Sequence, residues 1–149
     1  MPLEFNTLLV PTDFSPASRT ALERAISLAS GDEPLVIVLH VIDVTLLDFA
    51  AAHDFATREV AAQQVRARAE AALAQFQLDL QTKVEIRTII CEGLPFLEIL
   101  KKAEEFLVDA IVMGKIGARG TLEKLLFGST AERVLRGSTR PVFVLPAEF

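Results

Sequence analysis

Apolar residues in this chain fall into five short dense runs separated by longer stretches with helical spacing. Thr7-Leu8-Leu9-Val10, closed by Pro11, predicts a buried strand. Ser15-Pro16 then predicts a helix start, with serine at the N-cap and proline at the first helical position. Ala21, Leu22, Ala25, Ile26 and Ala29 follow at helical spacing, and Gly31 is a plausible stop. Leu35 to Ile42 is a dense apolar run, as expected of a strand covered on both faces. Residues Thr45 to His53 read as a linker, and about Asp54 to Leu80 as a long helix. Val60, Gln64, Ala67, Ala71 and Ala74 mark one line along that helix; Val65, Ala69, Ala72, Leu73 and Phe76 mark the other flank.

The β-branched, partly alternating Val84 to Ile90 predicts a third strand nearer a sheet edge. Phe96, Ile99, Leu100, Ala103 and Leu107 form a third helical face. Ala110 to Met113 is a fourth strand, Ser129 to Arg136 a short fourth helix, and Pro141 to Pro146 a fifth strand. Apolar strands alternating with helices imply an α/β fold: one doubly wound, five-stranded parallel sheet with helices on both faces. One domain spanning residues 1–149 is expected, with no internal repeat.

Composition narrows the function. The 149 residues are 51% hydrophobic and 23% charged, which excludes a disordered chain. At this length roughly 70% of the unfolded surface is buried on folding, so no staple is needed. The net charge of -5 argues against a general nucleic-acid binder, though not against a small anion in a local pocket. The longest apolar run is far short of the ~20 residues of a spanning helix, and the N-terminus carries no signal core. A cytoplasmic protein with no membrane association is therefore expected. Cys91 is the single cysteine and reads as a small hydrophobe; with His40 and His53 it forms no metal-ligand spacing.

In doubly wound sheets ligands sit at the carboxyl ends of the strands. Pro11-Thr12-Asp13 follows the first strand, with neither a Rossmann G-x-G-x-x-G nor a P-loop there. A phospho-acceptor receiver domain would want an acidic pair at this point, and only Asp13 is present. The segment Met113 to Thr130 holds four of the seven glycines: Gly114, Gly117, Gly120 and Gly128. A glycine-rich loop running into a helix start at Ser129 is a physically sensible phosphate cradle. The plain structural reading stands beside it: Ser129-Thr130-Ala131-Glu132 is a capping-box pattern, and Ser129 would cap a helix with or without a ligand.

Pro11-Thr12-Asp13-x-Ser15, Leu39-His40-Val41, Gly114-x-x-Gly117 with Gly128-Ser129, and Arg140-Pro141-Val142-x-Val144 together resemble the universal stress protein (UspA-like) family along essentially the whole chain. The resemblance implies an adenine nucleotide alpha hydrolase-like fold. It also places the chain with the ATP-binding subgroup, whose pattern is G-x2-G-x9-G-[ST]. Here ten residues, 118–127, separate Gly117 from Gly128, one more than that pattern has.

Carried over by position, Asp13 would accept hydrogen bonds from ribose hydroxyls, or else serve as a turn residue before Ser15. Pro11 and Thr12 would wall the nucleotide pocket. Val41 would contact adenine and pair through its backbone, or be a plain core valine. Met113 and Gly114 would line the pocket, and Gly117, Gly128, Ser129 and Thr130 would surround the phosphates. The implied ligand is ATP with Mg2+, with ADP or AMP as alternatives. Lys115 reads as a solvated loop cation and His40 as a satisfied side chain rather than a base. No catalytic residue and no protein metal ligand is assigned.

The expected role is a nucleotide-binding stress-response regulator. Two other readings are a slow ATPase or phosphotransferase, and a nucleotide-free dimeric interaction module. The apolar Val142, Phe143, Val144 and Leu145 on the last strand predict a homodimer through that strand.

Overall fold

The computed structural model describes residues 3–115 and 128–146. Among them are five strands: β1 (Thr7–Pro11), β2 (Leu35–Asp43), β3 (Glu85–Gly93), β4 (Ala110–Gly114) and β5 (Val142–Leu145). Five helices connect them, two of them between β2 and β3: α1 (Pro16–Leu28), α2 (Val44–Ala52), α3 (Arg58–Leu78), α4 (Pro95–Glu105) and α5 (Ser129–Gly137). The strands form one parallel sheet in the order β3-β2-β1-β4-β5. Successive strands are added outward from β1 in one direction and from β4 in the other. The order therefore reverses between β1 and β4.

The two-residue period of each strand divides its side chains between two cores. Leu8, Val10, Val36, Val38, Ala110 and Val112 face α1 and α3, packing on Ala21, Leu22, Ala25 and Leu73. Leu9, Ile37, Leu39, Ile111 and Met113 face α4 and α5, packing on Ile99, Ala103, Ala131 and Val134. Both faces of the central strands are covered, which is why they read as unbroken apolar runs. β3 and β5 are the edge strands. β3 was expected near an edge from its partly polar pattern, and its exposed Glu85, Arg87 and Thr88 account for that pattern.

Two expectations are corrected, and the two lines marked along α3 are told apart. The stretch Thr45 to His53 is not a linker but mostly helix α2. Asp43, which ends the apolar run of β2, caps that helix: its Oδ1 accepts from the Thr45 amide at 2.9 Å. On α3, Val60, Gln64, Ala67, Ala71 and Ala74 lie exposed, and the other flank, led by Ala69 and Leu73, packs on the sheet. Ser129 is not an N-cap. Gly128 occupies that position and its carbonyl accepts from the Glu132 amide at 3.0 Å.

Candidate nucleotide cleft

The site grows from a difference in strand length. β1 ends at Pro11, paired with Leu39, while β2 runs on to Asp43. The last link between them is the Thr12 amide donating to the Leu39 carbonyl at 2.8 Å. In a parallel strand every second residue turns its peptide groups the same way. Leu39 turns its carbonyl toward β1, so Val41 does too, at a level where β1 has already left the sheet. The N–H and C=O of Val41 thus border open space on the β1 side and leave β2 continuing only against β3.

The turn after β1 is held by its own side chains. Thr12, buried, donates from Oγ1 to Ser18 Oγ at 3.0 Å and accepts there from the Phe14 amide at 3.0 Å. Asp13 Oδ1 accepts from the Ser15 amide at 3.0 Å, and Ser15 Oγ caps α1 by accepting from the Ser18 amide at 3.2 Å. Asp13 is exposed, and its bond from the Ser15 amide is that of the turn residue that was one of its two readings. Phe14 sits at φ +66°, a left-handed conformation uncommon in a non-glycine residue. His40 Nδ1 lies 2.8 Å from the Thr12 carbonyl oxygen; a carbonyl can only accept, so Nδ1 carries the proton and donates.

Across the cleft, β4 ends at Gly114, where a side chain would collide with α1. A Cβ placed there would lie 2.8 Å from Ala17 Cβ and 3.1 Å from the Ala17 carbonyl carbon. The chain returns at Gly128, whose amide donates to the Lys115 carbonyl at 2.8 Å, and enters α5. A glycine N-cap brings no side-chain oxygen to the first-turn amides. The positive end of the α5 dipole therefore faces the cleft without a cap from its own N-cap side chain.

These elements enclose a cavity of about 580 Å³, within the range of small-molecule sites. It lies at the carboxyl ends of β1, β2 and β4, where the strand order reverses, as expected for ligands in open α/β sheets. Pro11, Thr12, Asp13, Val41, Met113, Gly114, Gly128, Ser129 and Thr130 all line it. These are nine of the ten residues singled out from sequence; the tenth, Gly117, lies outside the described residues. Lys115 lines the cavity as well.

The sequence reading missed the far wall: Asp43, Leu46 and Leu47 around α2, Val65 of α3, and Pro95 and Ile99 of α4. The Asp43-x-Thr45 capping signal could have revealed α2, and with it that wall. Cys91 is half-buried on β3, where burial first and the Glu98 carboxylate second push its thiol pKa up, away from a reactive thiolate. Among the described residues no helix is long and apolar enough to cross a membrane.

Residues 4–146 match the sequence profile of the Universal stress protein family. The chain is 32% identical over 142 residues to Universal stress protein MJ0531 of Methanocaldococcus jannaschii, covering 95% of this chain and 82% of that one. It is 30% identical over 159 residues to Universal stress protein MJ0577 of the same organism, covering 97% of each. The solved structure of MJ0577 superposes with a TM-score of 0.83 at 30% identity, covering 95% of this chain and 96% of the other. A universal stress protein solved in complex with cAMP shares the fold at 23% identity, with a TM-score of 0.61 and coverage of 97% and 99%. The profile match along nearly the whole chain, the two relatives and the shared fold agree: this chain belongs to the universal stress protein family.

Proposed function

We propose that this universal stress protein binds an adenine nucleotide, ATP with Mg2+ in the first place, in the cleft between β1, β2, β4 and α5, and that it acts as a stress-response regulator through occupancy. The observation that carries the reading is the convergence of two kinds of backbone on one cavity. On one side stands the peptide edge of Val41, a donor and an acceptor spaced for the paired acceptor and donor of adenine N1 and N6. On the other stands the N-terminus of α5 with its glycine cap, whose amides and dipole suit phosphate.

Asp13 lines the same cavity, and in this reading its carboxylate accepts from the ribose hydroxyls. Met113 and Pro11 supply apolar walls for a base. Gly128 brings no side chain to the phosphate end, and Gly114 lets α1 close against the end of β4. Lys115 adds positive charge at that end, and Mg2+ would offset charge among the phosphates themselves. A homodimer through Val142 to Leu145 of the edge strand β5 would give occupancy a structural output, since β5 pairs with β4 and β4 ends in the cleft.

The test is titration calorimetry of the purified, nucleotide-stripped chain with ATP, ADP, AMP and cAMP, each with and without Mg2+. Mass spectrometry of any ligand released from freshly prepared protein accompanies it. Saturable binding of one adenine nucleotide per chain is expected, tightest for ATP. No binding of any of the four overturns the reading. Stoichiometric ADP formation on standing would favour the ATPase alternative over occupancy alone. Asp13→Ala should weaken ATP binding by about tenfold to over a hundredfold, because losing a hydrogen bond to a charged group costs roughly 1.5–3 kcal/mol.

A further inference from the structure

We propose that His40 is a positioning residue for the ribose of the bound nucleotide, acting through the Thr12 carbonyl to hold Asp13 in place; this rests on the nucleotide reading above. His40 follows Val38 with its side chain on the α1/α3 face of the sheet, and its Nδ1–H reaches the Thr12 oxygen at 2.8 Å. The acceptor belongs to the peptide that joins Thr12 to Asp13, so this bond fixes the plane from which the Asp13 side chain departs.

The ring is held in turn. Phe14 lies against it at 4.6 Å between centroids, and Phe76 of α3 meets Phe14 edge-on at 5.7 Å. Arg19 closes the stack, its guanidinium 5.2 Å from the Phe76 ring centre. Phe14 is also the residue at φ +66°, so the aromatic stack and the left-handed turn are one feature. A strained conformation beside a binding site persists only when its surroundings over-determine it. Here the surroundings are His40, Phe76 and the Thr12 hydroxyl that receives the Phe14 amide.

Thr12 is thus gripped at three points: its amide by Leu39, its hydroxyl by Ser18 and Phe14, and its carbonyl by His40. The first two anchor the turn to the sheet and to α1. His40 is the side chain that grips the last peptide before Asp13. Without it, that peptide is constrained only through its neighbours, while Asp13 keeps the bond from the Ser15 amide to Oδ1. The carboxylate would then lose part of its aim toward the ribose, with Leu39, Ser18 and Phe14 still anchoring Thr12.

The experiment pairs ligands with variants. ATP and 2′,3′-dideoxy-ATP are titrated into the wild type, His40→Ala and His40→Asn by calorimetry. The wild type should prefer ATP over the dideoxy nucleotide by about tenfold or more. In His40→Ala that preference should collapse toward unity, while dideoxy-ATP binds within about twofold of wild type and so reports an intact fold. His40→Asn, whose amide N–H can stand where Nδ1–H stood, should restore it. Equal losses for both nucleotides in His40→Ala, or an unchanged preference, would overturn the positioning role while leaving nucleotide binding intact. A wild type that binds neither nucleotide overturns the binding reading and this one with it.

A second measurement needs no variant at position 40. Ring nitrogen NMR, assigned by comparison with His53→Gln, should find the Nδ1-protonated tautomer at neutral pH. A neutral ring protonated at Nε2 would overturn the proposal directly.

Discussion

Replacing Gly114 with alanine should destabilise the fold, and the same replacement at Gly137 should not. Neither residue is held at a positive φ, so backbone strain is equal in both cases. Both substitutions also gain about 0.4–1 kcal/mol by restricting the unfolded chain. They differ in what the new methyl meets. At Gly114 it meets Ala17 Cβ at 2.8 Å and the Ala17 carbonyl carbon and oxygen at 3.1 and 3.3 Å. Two of those three atoms are backbone in the first turn of α1, so relief requires the helix to shift away from β4. Overpacking of this kind typically costs about 1–3 kcal/mol. At Gly137 the nearest atom, 2.7 Å away, is Leu100 Cδ1, the free end of a side chain that rotates aside. The net expectation is a loss of about 1–2 kcal/mol for Gly114→Ala and a change between zero and a gain of about 1 kcal/mol for Gly137→Ala. With an m-value of about 2 kcal/mol/M in urea, the Gly114→Ala midpoint should fall by roughly 0.5–1 M at unchanged slope. Equal midpoints for Gly114→Ala and the wild type would refute the close approach of α1 to the end of β4. Equal falls for both variants would refute the distinction between a backbone and a side-chain obstacle.

Gly128→Val should abolish ATP binding in calorimetry, because Gly128 lines the cleft at the start of α5; its φ −61° and ψ 153° suit any residue, so a urea midpoint near wild type is expected and would separate lost binding from lost folding. On β5 the Ile111 amide bonds to the Pro141 carbonyl and the Lys115 amide to the Leu145 carbonyl, so Val142 and Val144 turn their peptide groups to the open edge. Val144→Pro removes one outward N–H and no ladder bond, and light scattering at micromolar concentration should show a shift from dimer to monomer; lysine there is a poorer probe, because the Val144 side chain also packs against the α4/α5 core. The Arg140 guanidinium first, and the Thr139 hydroxyl second, hold the Glu104 carboxyl below its usual range. The folded state thus binds that proton less readily than the unfolded one, so the contribution is present above the unfolded pKa and is lost as pH falls through the folded one. Urea midpoints of wild type and Glu104→Gln should therefore differ slightly at neutral pH and converge in acid; a difference that grows in acid would contradict the assignment. The effect is small because Glu104 is exposed and Arg140 only half-buried.

Most of the fold was legible because the buried strands carry their signal in every residue. Leu8 to Val10, Leu35 to Ile42 and Ala110 to Met113 are apolar on both faces, and no helical alternative fits runs so short between turn residues. Once the strands are parallel, their carboxyl ends share one edge of the sheet. That is how Pro11, Thr12 and Asp13 could be grouped with the segment from Met113 to Thr130, far apart in sequence; Val41 and the individual roles came from the resemblance to the family. Helix α2 was illegible for the opposite reason. Val44 to Ala52 is apolar nearly all round, so no amphipathic period stands out, and Leu46 and Phe49 remain exposed. On α3 alanines occur on both flanks, and alanine does not say which face is inward; the larger Leu73 and Phe76 decide it. The capping box at Ser129 misled because S-x-x-E is also compatible with a helix that starts one residue earlier. Gly128 takes the cap with its own carbonyl, and Ser129 becomes the first helical residue.

The cleft and the fold do not draw on the same groups of these residues, and that separation decides what mutagenesis can teach. Pro11 and Thr12 end β1 and create the gap beside Val41. Gly114 lets α1 close on the end of β4. Changes at these positions alter stability and cleft shape together, so a lost affinity there cannot be credited to a contact. Asp13 and Gly128 are different. Gly128 adopts a backbone open to any residue, and Asp13 is exposed with one turn bond of its own, from the Ser15 amide, so Asp13→Asn, which keeps an oxygen for that bond, is a cleaner reporter than Asp13→Ala. Val41 is a third kind. Its proposed role belongs to its peptide group, so Val41→Ala should leave the donor and acceptor where they are while removing packing against the α4/α5 core as well as apolar contact with the base. The informative change is instead one that lengthens β1 or displaces the end of β2. Binding that survived the pairing of Val41 with a longer β1 would place the base elsewhere in the cavity, toward Leu46, Leu47 and Val65, where the wall is apolar and carries no peptide edge from β2.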